Sequence, residues 1–311
     1  LEPAASAAAA IHDLWSLMLW TSTIVFIAVL VALGLALVRR RRDRPTQPID
    51  SSAPPAAVTR TVTAATALTV VILFGFLLAS LWTSRAIAEV RPTRAVSIHV
   101  LGHQWWWEIE YEEGLPSQRM RTANEIHIPV GRPVVFKVTS RDVIHSFWVP
   151  NLHGKRDLIP GYTTAIWIQA TRPGQFRGQC AEFCGLQHAH MAIDVIAEPE
   201  NAFTAWLESR RTSARPAGSD IERQGEAVFM SARCAGCHTI RGTDANGQVA
   251  PDLTHIASRS SIAAGTLPNT PEHLAAWIVN PQGFKPGNQM PPNLLSSADM
   301  QALVAYLGSL R

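Results

Sequence analysis

Between Cys180 and Met191 the chain reads Cys180-Ala-Glu182-Phe-Cys184-Gly-Leu-Gln-His188-Ala-His190-Met191. Two thiols four residues apart, an imidazole four further on and a thioether three beyond that crowd soft and borderline donors into one loop. Such a set suits copper or zinc far better than magnesium or calcium. A bare C-x3-C would equally serve a disulfide or zinc, but zinc sites rarely recruit methionine, so His188 and Met191 favour copper. One Cys, one His and one Met on a loop, with a distant His, would describe a mononuclear blue-copper site. The second Cys changes the count, because two thiolates can bridge two copper ions while His and Met complete the outer corners. His145, in Val-Ile-His145-Ser-Phe-Trp after the apolar run Val134 to Val138, is the candidate for the distant histidine. The pattern reads as a binuclear copper site.

A second motif lies downstream, Cys234-Ala-Gly-Cys237-His238. C-x-x-C-H is the attachment pattern of c-type haem: the thiols of Cys234 and Cys237 form thioethers and His238 supplies one axial nitrogen. A low-spin electron carrier needs a second axial ligand, and methionine raises the potential. Met290, in the Pro-rich stretch Gly287-Asn-Gln-Met290-Pro-Pro292, is favoured; Met300 falls within a helical pattern from Ser297 to Leu307, and Met230 is too close to the attachment site. Pro251 is the candidate whose carbonyl orients His238, and Tyr306 is expected to pack against Gly225 and Phe229.

The elements that must carry these sites begin with two uncharged runs, Leu14 to Val38 and Thr61 to Thr83. Each is long enough to span about 30 Å of hydrocarbon at about 1.5 Å per residue. The cluster Arg39-Arg-Arg-Arg42-Asp-Arg44 would stay on the cytoplasmic side, Pro45 to Pro55 reads as a polar loop, and residues 1–10 as a small, Ala-rich frayed end. From Ala95, seven short runs rich in β-branched and aromatic residues read as strands: 96–100, 104–111, 125–128, 133–139, 163–169, 174–179 and 191–196. With turn signals between them they argue for a β-sandwich, and copper loops at one end of such a sandwich are the cupredoxin arrangement. Glu108, Glu110 and Glu112 alternate onto one strand face, either as an ordinary solvated face or as an acidic docking patch beside Trp105–Trp107. Residues 202–211 look helical, and 212–219 read as a loose tether with a reach of roughly 15 Å. The expected organisation is therefore a tail and transmembrane helical hairpin over 1–94, a cupredoxin-like domain over 95–198, a linker over 199–219 and an all-α cytochrome c domain over 220–311.

Charge supports this division. Residues 1–94 carry nine Arg against five acids, whereas 95–198 carry nine basic against ten acidic residues and 220–311 six against seven. The excess lies beside the apolar runs, and no soluble part has the basic patch of a nucleic-acid binder. Neither apolar run contains a histidine, so neither can hold an intramembrane haem through axial imidazoles. The oxygen-reducing chemistry of any haem at that depth must belong to another chain.

The residues Cys180 to Met191, His145 and Gly102-His-Gln-Trp105-Trp-Trp107 resemble subunit II of the haem–copper cytochrome c oxidases, over roughly residues 11 to 198. With the C-x-x-C-H motif beyond, the chain resembles the caa3 type, in which a cytochrome c domain is fused to subunit II. The resemblance implies Cys180, Cys184, His145, His188 and Met191 as side-chain ligands of a CuA centre, with the carbonyl of Glu182 as a further ligand. It implies that the Glu182 carboxylate serves a magnesium site shared with subunit I, and that Trp105 is where electrons enter near the copper. It also implies a place in a bacterial inner membrane, two spans with both cofactor domains on the outer side, a soluble donor such as a cytochrome c, and other oxidase subunits as partners. Electrons would run from haem c to CuA to subunit I, where oxygen is reduced to water and protons are translocated; the alternative is the small subunit of a CuA-containing nitric-oxide reductase. A copper-delivery protein of the C-x3-C kind is disfavoured by His188, Met191 and the haem motif. Two positions depart from the family pattern. Trp106 stands where Tyr is common, and no acidic residue lies between Asp50 and Glu89, where the family usually has a Glu at the mouth of a proton path.

Overall fold

The computed structural model describes residues 2–42, 56–88, 94–114 and 119–311; the loop expected over Pro45–Pro55 and Arg44 of the basic cluster lie outside them. The chain divides into two compact units, Ala9–Arg91 and a larger one made of Leu1–Ala8 with Pro92–Arg311.

The smaller unit holds most of α1 (Ser6–Arg42) and all of α2 (Ala56–Ala88). Both are long and apolar enough to cross a membrane. Each runs past its uncharged stretch because the flanking residues are good helix formers, alanine ahead of the first run and on both sides of the second, and arginine after the first. Hydroxyls inside the helices are satisfied locally: Thr21 and Thr23 donate to the carbonyls of Leu17 and Leu19, and Thr69 to that of Ala65. This removes the cost of carrying a free hydroxyl among apolar side chains.

The first residues are not frayed. Ala4, Ala5 and Ala8 are buried, the Ala4 amide donates to the Asn151 carbonyl, and Thr171 donates to that of Ala4. Small side chains let this backbone lie directly on the larger unit, where Ala5 bridges to Ala170.

Among the described residues that unit contains a five-stranded sheet in the order β3-β2-β1-β5-β8 and a three-stranded sheet β4-β10-β9. The strands are β1 (Val96–His103), β2 (Trp106–Tyr111), β3 (Met120–Ala123), β4 (Glu125–Pro129), β5 (Val134–Ser140), β8 (Thr164–Ile168), β9 (Gly174–Gln179) and β10 (Ala192–Glu198). Alternation drives the packing: Ile98 and Val100 of β1, Trp107 and Ile109 of β2, and Phe136 and Val138 of β5 point inward to meet Ile126, Phe176, Ile193 and Val195 of the second sheet. Trp107 is fully buried, with Phe147 6.1 Å away edge-on; its loss to Ala is expected to cost roughly 3–5 kcal/mol. The expected strand 104–111 starts only at Trp106, because Gln104 and Trp105 form the turn between β1 and β2. Three short strands escaped the sequence reading: β3, β6 (His145–Phe147) and β7 (Arg156–Leu158), the last two pairing with each other. Runs of three or four residues are too short for a two-residue period to register.

Glu108 and Glu110 on β2 and Glu112 just beyond it do share the outward face, but each meets a basic side chain. Glu108 lies 3.1 Å from His103 and 3.8 Å from Arg121, Glu110 contacts Arg119 and Arg121, and Glu112 takes Lys137. The acidic docking reading therefore fails; this is a neutralised surface.

After β10, α3 (Glu200–Arg211) buries Phe203 and Leu207, and its Trp206 stacks on His127 at 4.0 Å. The following residues are not a loose tether. The Ala214 amide donates to Arg241, the Thr212 carbonyl lies 3.1 Å from His255 Nε2, and Gly218 donates to Glu222. They lead into α4 (Asp220–Ser231), which opens on a capping box between Ser219 and Glu222. Two short strands, β11 (Ser261–Ile262) and β12 (Leu267–Pro268), and three helices, α5 (Pro271–Val279), α6 (Pro281–Phe284) and α7 (Ser297–Ser309), complete the unit. α4 crosses α7 at Gly225, where a Cβ would stand 2.0 Å from the Ala302 carbonyl oxygen. Only glycine permits that approach, and it brings Phe229 and Tyr306 edge-on at 6.3 Å.

Candidate copper and haem sites

The loop between β9 and β10 and the short strand β6 bring the first donor set together. Cys180 and Cys184 Sγ lie 3.8 Å apart; His145 Nδ1 is 3.8 Å from Cys180, and His188 Nδ1 is 3.6 Å from Cys184. Met191 Sδ lies 3.9 Å from Cys184 and the Glu182 carbonyl oxygen 3.3 Å from Cys180. All six expected donors thus converge, and both sulfurs, His145 and Met191 are buried. The set fits copper: sulfur and imidazole nitrogen predominate and no carboxylate oxygen stands among them.

His145 is positioned from two sides. Its Nε2 is 2.9 Å from Asp142 Oδ1, leaving Nδ1 toward the sulfurs. Gly102 of β1 gives the ring room, since a Cβ there would lie 2.8 Å from His145 Cδ2. Asp142 reads in the sequence as an ordinary loop aspartate, yet it is the group that orients this imidazole. It also accepts from the amides of Gln104 and Val143. Burial alone would raise its pKa, but these hydrogen bonds and His145 outweigh it and hold the carboxylate low. Burial alone would lower the pKa of His145; the Cys180 sulfur and Asp142 raise it instead. Of the two thiols, Cys180 is drawn toward the thiolate first by hydrogen bonding from Cys184 and then by His145, despite burial. The same donation, reinforced by burial, holds Cys184 protonated. Both sulfurs would bind copper as thiolates, the ligating form, in place of that shared proton.

The Glu182 carboxylate points away from this set and lies 3.9 Å from Lys155 Nζ at the surface. Among the described residues no group of three or more titratable ligands forms around it. A magnesium ion there would take its remaining oxygens from outside the chain.

The second site is a cavity of about 470 Å³. Cys234, Cys237, His238 and Met290 line it; Met230 and Met300 do not. His238 Nδ1 is 2.8 Å from the Pro251 carbonyl, which fixes the ring and leaves Nε2 free for the cavity. Met290 is held by its amide's bond to Asn288 Oδ1, while Gln282 donates to its carbonyl. The cavity is apolar in the main and fits a macrocycle attached through the two thiols. Its wall also includes Trp105 and Trp106. The indole Nε1 of buried Trp105 donates to the Cys184 carbonyl at 2.9 Å, so one residue belongs to both sites. Of the histidines without a motif, His127 bridges Glu198 and Glu125, His190 contacts Gln187 and His255 contacts the Arg311 carbonyl.

Residues 114–198 match the family described as cytochrome c oxidase subunit II, periplasmic domain, and residues 223–311 match the cytochrome c family. The chain is 42% identical over 218 residues to cytochrome c oxidase subunit 2 of Alkalihalophilus pseudofirmus, covering 70% of this chain and 61% of that protein. It is 34% identical over 233 residues to the corresponding subunit of Bacillus sp. strain PS3, covering 71% of this chain and 64% of that one. The periplasmic domain of subunit II of the cytochrome oxidase of Bradyrhizobium japonicum is similar at 30% identity and a TM-score of 0.36, covering 39% of this chain and 96% of that structure. The chain spans less than two thirds of the length of these two curated relatives. The first family implies a CuA centre and the second a haem c. With both matches and the donor sets that accompany them, the chain carries a cytochrome c oxidase subunit II periplasmic domain followed by a cytochrome c domain.

Proposed function

We propose that this chain is the electron-transfer subunit of a haem–copper oxidase, delivering electrons one at a time from a soluble donor such as a cytochrome c to the oxygen-reducing centre of subunit I. In this reading Cys180, Cys184, His145, His188, Met191 and the Glu182 carbonyl hold binuclear copper. Cys234 and Cys237 attach haem c, with His238 and Met290 as its axial ligands. Bound there, the two groups would supply reversible one-electron chemistry. The residues of the chain bury the copper-site sulfurs and His145, fix the ligand rings through Asp142 and the Pro251 carbonyl, and join the sites through Trp105. α1 and α2 anchor the subunit in a bacterial inner membrane with both cofactor domains on the outer side. Reduction of oxygen to water and the coupled proton movement belong to subunit I and the other partner subunits, and the Glu182 carboxylate contributes to a magnesium site at that contact.

The observation that carries this reading is the convergence of six copper donors in one buried cluster beside a cavity holding a complete haem c ligand set. The test is metal and haem analysis of the purified full chain together with mass spectrometry of what purifies with it. Two copper atoms per covalent haem and a large haem-bearing subunit are expected; one copper per haem after full reconstitution overturns the binuclear site.

A further inference from the structure

Lys285 ends α6, five residues before Met290, and only 3% of it is exposed. Its Nζ donates to three backbone carbonyls: Trp105 at 2.8 Å, His190 at 2.9 Å and Ala263 at 3.1 Å. Among the described residues it forms no ion pair with a carboxylate. The three acceptors come from separate places. Trp105 is in the turn between β1 and β2, His190 directly precedes Met191 in the copper loop, and Ala263 follows β11 in the haem-bearing part.

A buried cation is costly unless its protons are all taken up. An ammonium has three protons to give and no acceptor capacity, which matches three carbonyls and nothing else on offer. Burial pulls the pKa of Lys285 down to about 7, against an upward push from the Cys184 sulfur. The carbonyl trio favours the charged form, since the neutral amine lacks the third proton. Three acceptors from two domains meet one nitrogen in a single relative arrangement of those domains. A slip of about an ångström breaks a bond and leaves a buried charge short of a partner.

The surrounding contacts follow the same seam. Gln187 Nε2 donates to the Pro286 carbonyl at 2.8 Å and the Ala192 amide to Ala264 at 3.0 Å. Glu125 accepts from the Ser260 amide and hydroxyl, both at 3.1 Å. Lys285 is the contact that reaches Trp105, whose indole holds the Cys184 carbonyl, and it lines the haem cavity itself. We propose that Lys285 is a positioning residue for electron transfer between the two sites, its ammonium locking the segment that carries Met290 in register with Trp105 and the copper loop. The proposal rests on the copper-and-haem reading for its functional consequence, though not for the register itself.

The test uses the full chain and the variants Lys285→Met and Lys285→Arg, with two readouts. Amide hydrogen exchange at Ala192, whose N–H bonds across the seam, reports the register without reference to the metals. Flash reduction of haem c followed by its reoxidation reports the transfer rate. Exchange at Ala192 is expected to rise about tenfold and the transfer rate to fall about tenfold in Lys285→Met, with haem and copper still bound in full. Lys285→Arg is expected not to rescue, because a planar guanidinium cannot point three protons at three converging carbonyls. Where Lys285→Met fails to retain haem, Lys285→Gln takes its place with the same expected direction. Exchange at Ala192 within about twofold of the parent in a folded variant overturns the lock, as does full rescue by Arg. A wild-type chain that binds neither metal nor haem, yet loses Ala192 protection in Lys285→Met, overturns the functional reading and keeps the register.

Discussion

The indole Nε1 of Trp105 donates to the carbonyl oxygen of Cys184 at 2.9 Å, and Trp105 is also among the residues lining the haem cavity. One residue therefore belongs to the wall of one redox site and holds the backbone of the other. Replacing Trp105 by Phe keeps much of the apolar volume and removes the donor. A slower haem-to-copper transfer is expected, with a stability loss of about 1 kcal/mol for the missing hydrogen bond. Transfer should be independent of protein concentration and only weakly dependent on salt, because the two domains share a hydrogen-bonded seam. Flash reduction across dilution and ionic strength checks this, and a rate that scales with concentration would contradict it.

Asp142→Asn should weaken copper binding without unfolding the domain. The neutral amide oxygen accepts from His145 Nε2 more weakly than the carboxylate does, and the amide NH2 can only donate, so the Nδ1 lone pair is held less firmly toward the sulfurs. Loss of such an orienting partner typically costs about 10–100-fold in metal affinity. Copper competition titration of the purified variant is the measurement, with the haem spectrum as the internal control.

Met290→Ala should lower the haem potential and leave copper binding intact, because methionine is the ligand that raises it. Met300, partly buried against the haem-domain core and absent from the cavity wall, should behave oppositely. Its change to Ala is expected to cost about 2 kcal/mol of stability with little shift in potential. Redox titration and thermal unfolding of both variants separate the two roles.

Glu125 connects acidity to the seam between the domains. Burial would raise its pKa, but hydrogen bonds from His127 and the Ser260 amide bring it below the usual glutamate value. A carboxylate depressed in the folded state adds stability that is fully present above its unfolded pKa, about 4.3, and is lost as pH falls through the folded value. The gap in thermal midpoint between the parent and Glu125→Gln should therefore be widest near neutral pH and close as the solution is acidified. A constant gap would show that Glu125 contributes by shape alone.

The chemistry of this protein was legible because its ligand sets are local. Cys180, Cys184, His188 and Met191 share a single loop, and Cys234, Cys237 and His238 are nearly contiguous, so covalent spacing alone keeps them close. The two apolar runs and the alternation of β1, β2 and β5 were legible for the same reason, since each is a short-period pattern answered by one environment. What tertiary structure decided are contacts between residues far apart in the chain or on irregular backbone, where no period exists to read. Asp142 is three residues from His145, but on a loop that spacing implies nothing until the turn closes. Arg121 and Lys137 neutralise Glu110 and Glu112 from neighbouring strands, which removes the acidic patch that alternation suggested. The segment from Thr212 to Ser219 has a linker's composition, yet its backbone groups meet Arg241 and His255 across the fold. Lys285 reaches Trp105 over 180 residues. A lysine in a Pro- and Gly-rich stretch looks like any solvated charge, and only packing that removes water from around it turns it into a fixed point between two domains.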